Sequence, residues 1–153
     1  MSDQLQWVNA SNGQLPPGAL AQGSDTDGQP LYIARVHFKG GLHPGKAAPH
    51  LQDGGFALGW GGQAHPFNEY QVLCGSASRV QWVPMAGAAR VPDGVRAVEA
   101  GHEQGGQPLF VARASVGASL QLGKAGAHLG NGMSCAYGSG ERSEKSYQIL
   151  AYA

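Results

Sequence analysis

Between Leu31 and Phe38 the chain alternates in the manner of a pleated strand. Tyr32, Ala34, Val36 and Phe38 fall on one side and Leu31, Ile33, Arg35 and His37 on the other. A later segment repeats the arrangement, with Phe110, Ala112, Ala114 and Val116 opposite Leu109, Val111, Arg113 and Ser115. The pattern predicts two strands with one face in the core throughout and a second face that turns polar toward a rim. Shorter apolar runs bounded by Gly, Pro, Asn or Ser predict strands at 6–9, 56–60, 70–74 and 80–84, with counterparts around 133–137 and 147–152. A short helix is expected at 86–90, ended at once by Pro92 and Gly94. No run approaches the ~18 apolar residues of a membrane span, so the expected class is a soluble all-β protein with no membrane insertion.

The two alternating segments belong to a duplication. The stretch GSDTDGQPLYIARVHFKGGLHPGKAAPHL, Gly23 to Leu51, returns 78 positions later as GHEQGGQPLFVARASVGASLQLGKAGAHL, Gly101 to Leu129. Outside it, Gln6-Trp7-Val8 answers Gln81-Trp82-Val83, and Tyr70-Gln71-Val72-Leu73 answers Tyr147-Gln148-Ile149-Leu150. The chain therefore reads as two repeats, residues 1–76 and 77–153. A unit of this size is marginal alone because small domains leave much of their surface unburied. The connector Gly75 to Arg79 is too short for a flexible tether. Two β-sandwich-like antiparallel modules packed about a pseudo-twofold axis are the expected architecture.

Composition narrows the function classes. Glycine occupies 25 positions, more than twice its ~7% average usage, and charged residues reach only 13%, which agrees with a turn-rich β protein. A net charge of zero argues against nucleic acid as a partner. The start, MSDQLQWVNA, lacks a basic segment followed by an apolar run, so the expected location is the cytoplasm, or outside the cell by export without a signal peptide. Cys74 answers Ala151 and Cys135 answers Ala57, which rules out a disulfide common to both repeats and favours free thiols. Two cysteines cannot by themselves hold a structural zinc.

A duplication separates retained positions from drifted ones. Tyr32 becomes Phe110 and Ile33 becomes Val111, conservative changes expected of a core. The polar retentions stand out: an acid at Asp25 and Glu103, an arginine at Arg35 and Arg113, a lysine at Lys46 and Lys124, and a histidine at His50 and His128. Two of the four lysines share one repeat position, whereas Lys39 and Lys145 have no lysine counterpart. An acid and a lysine on glycine-rich turns are either a surface ion pair worth ~0–1 kcal/mol or a ligand site. The histidines, four residues beyond each lysine, either support such a site or satisfy a backbone carbonyl. The arginines either bridge the repeats, pair with a carboxylate such as Glu69, or touch ligand. His43, Trp60 and Tyr32 offer a stacking face for a sugar ring, but the repeat keeps neither His43 nor Trp60 in obvious form, so Trp60 is assigned to the core.

The order Trp7, LPPGA, a Gly-x-acid turn, PLYIAR, LHPGK and a later YQVL resembles the DM9 repeat, over Trp7 to Cys74 and again over Trp82 to Ala151. Members similar to this chain include oyster lectins that bind mannose. The resemblance implies that Asp25 and Lys46 contact sugar and, by the duplication, that Glu103 and Lys124 do so too. The second copy departs from the pattern with LGK for PGK and with glutamate for aspartate. Gln63 stands where the family has a Lys-Glu pair, although Glu141 keeps an acid in the second copy. The implied function is calcium-independent, mannose-type recognition of microbial or cellular glycans, without cofactor, by a chain that forms a homodimer. The alternative is a protein-interaction module of the same fold.

Catalysis is not expected. Glycoside hydrolysis wants two carboxylates flanking one bond, whereas Asp27, the neighbour of Asp25, becomes Gly105 in the second copy. No GxSxG, HExxH or GxxxxGK[ST] segment occurs. Candidate metal sets, His43 with His50 or Asp25 with Asp27, do not recur intact, so no metal is expected.

Overall fold

The long strand of each repeat is buried on both faces over most of its length. In the computed structural model, which describes residues 4–153, the first repeat forms β1 (Gln6–Ser11), β2 (Ala21–Ser24), β3 (Pro30–Phe38), β4 (Gly41–Ala47), β5 (Phe56–Trp60), β6 (Gln63–Phe67) and β7 (Glu69–Cys74). The second forms β8 (Val80–Ala86), β9 (Gly101–His102), β10 (Pro108–Val116), β11 (Ser119–Ala125), β12 (Met133–Tyr137), β13 (Gly140–Glu144) and β14 (Ser146–Tyr152). A 3-10 turn, Ala77–Arg79, capped by the Ser76 side chain, joins them. The protein is all-β. The helix expected at 86–90 does not form: β8 runs on to Ala86, and Gly87, at φ +68°, turns the chain instead.

Apolar residues gather in three clusters. Ala34, Val36, Phe56, Leu58, Tyr70 and Val72 make the first repeat's own core; Ala112, Ala114, Met133, Cys135, Tyr147 and Ile149 make the second's. The third is shared. It packs Leu31, Ile33 and Leu73 of one repeat against Val98, Val111, Leu122 and Leu150 of the other. The second face of β3 runs, as its pattern predicts, from buried Leu31 and Ile33 through partly buried Arg35 to exposed His37, and its apolar end is covered by the other repeat. Arg35 lies between those positions and does bridge the repeats. Its Nε donates to Gln71 Oε1 at 2.8 Å, its Nη1 donates to Ala100 O across the interface at 2.7 Å, and its guanidinium stacks 4.1 Å above Trp7. Arg113 repeats all three contacts with Gln148, Gln22 O and Trp82.

Backbone pairing interlocks the halves further. All fourteen strands lie in one hydrogen-bonded order, and the pairs that cross between repeats are β2 with β11, β4 with β9 and β6 with β13. Ser24↔Leu120 and His102↔Leu42 are counterparts of each other under the duplication. Gln63 pairs with Gly140, its own counterpart by strand register, which places the pseudo-twofold axis at that point. Gly23 is retained because β11 passes over it: a Cβ there would come within 2.6 Å of Leu120 O. Strand register also corrects one correspondence. Lys46 pairs with Ala57 and Lys124 with Ser134, so the offset drops by one residue in the intervening turn and Cys135 answers Leu58 instead of Ala57. Both cysteines are free and buried.

Because the shared cluster needs both halves, residues 1–76 and 77–153 expressed separately are expected to show no cooperative unfolding by circular dichroism. A sharp transition in either would refute the dependence. Gly23→Ala in the full chain should cost about 1–3 kcal/mol, the usual penalty of overpacking, measured as a lower urea midpoint with unchanged slope.

Candidate functional site

The retained acids sit in equivalent tight turns. Asp25 N donates to Gln29 O and Gly28 N to Asp25 O, both at 2.9 Å, and Glu103 makes the same pair of bonds with Gln107 and Gly106. Gly28 and Gly106 take φ of +87° and +91°, a conformation that glycine adopts without steric cost. The lysines are not on turns as expected. Lys46 lies in β4 opposite Ile33, and Lys124 in β11 opposite Val111. LHPGK reads as a turn by its Pro and Gly, yet it forms a central strand that is buried almost end to end. The histidines occupy the turns that follow, closed by Leu51 N to Ala48 O and Leu129 N to Gly126 O, and they reach back to the acids. His50 Nε2 is 2.5 Å from Asp25 Oδ2, and His128 Nε2 is 2.7 Å from Glu103 Oε2.

Each lysine and acid is also met by a side chain of the opposite repeat. Lys46 Nζ donates to Gln121 Oε1 at 2.8 Å, and Gln121 Nε2 donates to Asp25 Oδ1 and to Ser119 Oγ, each at 3.2 Å. Lys124 Nζ lies 3.0 Å from His43 Nδ1, and His43 Nε2 stands 4.0 Å from Glu103 Oε1. Residues 43 and 121 hold the same place in the duplication. Two sites result, one of Asp25, Lys46, His50 and Gln121, the other of Glu103, Lys124, His128 and His43. Sequence reasoning passed over Gln121 and treated His43 as a stacking or metal candidate. The available signal was a polar residue in both copies between apolar neighbours, Leu42 and Pro44, Leu120 and Leu122. Arg35 and Arg113 stay at the repeat interface and are not among the side chains bonded to either acid or lysine.

The electrostatics follow from burial. The ammonium groups belong to residues only 6% and 3% exposed, while the acids and histidines at the rim retain 21–29% of side-chain exposure. Desolvation lowers the Lys46 pKa, opposed by the Asp25 charge, and does the same at Lys124 against Glu103 and Glu141. Burial pushes the Glu103 carboxyl up, but the His128 hydrogen bond and the Lys124 and His43 charges outweigh it, so Glu103 stays below the usual carboxylate range. His43 is driven down to about 4 by burial and then by Lys124. A neutral His43 accepts from the ammonium at Nδ1 and carries its proton on Nε2, toward Glu103. Each site thus combines a partly exposed carboxylate with a buried ammonium, linked through Gln121 at one site and His43 at the other. Among the described residues no three His, Cys, Asp or Glu side chains gather as a metal site.

The sequence profile of the DM9 repeat matches residues 1–55 and 51–146. The chain belongs to the DM9 repeat family. A similar solved structure is that of the nematode sperm cell motility protein MFP2B, with a TM-score of 0.67 at 16% identity, covering 98% of this chain and 47% of that one. The chain spans about half the length of that protein, and the likeness is one of fold. No curated protein matches. Within the DM9 fold of this chain, no helix is long and apolar enough to cross a membrane among the described residues.

The His43 arrangement carries a pH signature. An unfolded histidine titrates near 6.5 and the folded one near 4, so below pH ~6.5 the unfolded state binds a proton that the folded state does not. Stability should fall as pH drops from about 6.5 to about 4. His43→Gln, which copies the residue of the other site, should flatten that part of a melting-temperature profile. Parallel profiles for the two proteins would show that His43 does not carry it.

Proposed function

We propose that this DM9 protein is a non-catalytic carbohydrate-binding protein with two mannose-type sites, Asp25–Lys46 and Glu103–Lys124. The observation that carries the reading is the duplicated set of a partly exposed carboxylate whose charge acts on a buried ammonium. A hexose presents vicinal hydroxyls that donate to a carboxylate and accept from an ammonium, and charge-assisted hydrogen bonds are the stronger kind. The lysine ammonium carries three N–H donors, of which one is taken by Gln121 at Lys46. His50 and His128 fix the carboxylates in place and leave them partly open to solvent. No metal enters the scheme. Two sites in one chain, or four in a homodimer, convert weak single-sugar contacts into useful avidity for a glycan surface, the behaviour expected of a protein that recognises microbial or cellular glycans.

Titration calorimetry with mannose and galactose, in EDTA, tests this directly. Binding should select mannose, persist in chelator and fall from two sites to one in Lys46→Met or Lys124→Met, each of which keeps the aliphatic stem and removes the ammonium. Heat that is absent for every sugar would overturn the reading and favour a protein-interaction module of the same fold.

A further inference from the structure

The two sites differ in what stands beside them. Trp60, expected in the core, is 37% exposed at the turn between β5 and β6. It meets Phe38 edge-on at 5.6 Å and His65 at 6.0 Å, and Lys39 Nζ lies 5.2 Å from its ring centroid. Phe38 extends the cluster to His65 at 5.0 Å and Phe67 at 5.3 Å. His65 Nε2 approaches Trp60 O at 2.9 Å and holds the turn. The other two tryptophans are committed elsewhere: Trp7 and Trp82 lie under Arg35 and Arg113, and their indole N–H groups donate to Glu99 O and Gln22 Oε1. Among the described residues the Trp60 indole N–H has no acceptor.

Two independent contacts tie this cluster to the Glu103–Lys124 site. Phe38 packs edge-on at 6.1 Å against His43, which touches Lys124. The turn after Trp60 is held by Gly62 N donating to Glu141 Oε1 at 2.9 Å, and Glu141 is one of the carboxylates whose charge acts on Lys124. The fold itself does not demand the aromatics. In the second repeat the same positions carry Val116 for Phe38, Gly117 for Lys39, Tyr137 for Trp60, Arg142 for His65 and Glu144 for Phe67, and there a single aromatic, Tyr137, lies 5.7 Å under an Arg142 guanidinium whose Nε pairs with Glu144 at 2.7 Å. An aromatic cluster that one repeat builds and its twin omits answers to something other than the β5–β6 hairpin.

We propose that Trp60, Phe38 and Lys39 form an accessory subsite that stacks a second hexose of a longer glycan beside the Glu103–Lys124 site, an inference that rests on the carbohydrate reading above. The C–H face of a pyranose suits an exposed aromatic ring, as amphipathic ligands do where one side is apolar and the rim is wet. The free indole N–H and the Lys39 ammonium supply donors for the sugar's hydroxyls at the ring edge. The Asp25–Lys46 site, flanked by Val116, Gly117 and Tyr137 in the corresponding places, has no such extension and takes single residues or chain ends.

Calorimetry with methyl α-mannoside and with a linear mannotriose separates the outcomes, with tryptophan fluorescence read in parallel. Wild-type protein should bind the trisaccharide about tenfold tighter than the monosaccharide at one of its two sites and show a shift of tryptophan emission with the trisaccharide alone. Trp60→Ala should abolish both the gain and the shift while leaving monosaccharide affinity unchanged. The gain should survive in Lys46→Met and vanish in Lys124→Met. Equal trisaccharide affinity in wild type and Trp60→Ala, with the monosaccharide still bound, overturns the subsite alone. Failure of both sugars to bind overturns the site reading with it.

Discussion

Everything in this molecule depends on each repeat giving the other a surface to bury. β3 and β10 carry apolar side chains on both faces, and only one face can be covered by their own repeat. Leu31 and Ile33 on one side, Val111 and Leu122 on the other, close the remaining gap. A module of this size has too little interior to be secure alone, and here the missing interior is its twin. The arginine–tryptophan pairs work on the same boundary: each guanidinium is sandwiched by its own tryptophan while it donates to the opposite backbone.

That boundary also makes the buried lysines tolerable. An ammonium removed from water is costly unless paired and hydrogen-bonded. Lys46 and Lys124 meet the requirement with an acid from their own repeat and a polar side chain from the other. The acid, in turn, is steadied by a histidine two turns away in the chain. Packing and charge therefore share one set of residues, held by contacts from both repeats.

Much of this was legible in the residues and some was not. The strands at 56–60 and 133–137 fall where short apolar runs between turn residues put them, because both are bounded by glycine and packed on their own core. β4 and β11 escaped because Pro44, Gly45 and Gly123 resemble turn residues, yet neighbours pass so close that no larger side chain would fit: a Cβ on Gly45 would lie 2.5 Å from Ala57 O. The acid, lysine and histidine of each site were visible as retained polar positions. Gln121 and His43 were not, since their partner lies in the other repeat and only the fold joins them. Trp60 was misplaced for a related reason: its counterpart Tyr137 appears only once strand register shifts the alignment by a residue.

The exchange of residues 43 and 121 across the axis has a genealogical consequence. A chain of one repeat would leave its lysine without the second polar partner, and it would regain that partner only by pairing with a copy of itself in the same symmetric way. Joining two copies end to end replaces an encounter governed by concentration with one that is always present. It also ends the identity of the two halves. In a self-paired ancestor one substitution would alter both sites at once, whereas in the tandem chain histidine stands at one and glutamine at the other, so each site is free to specialise through a residue encoded in its neighbour.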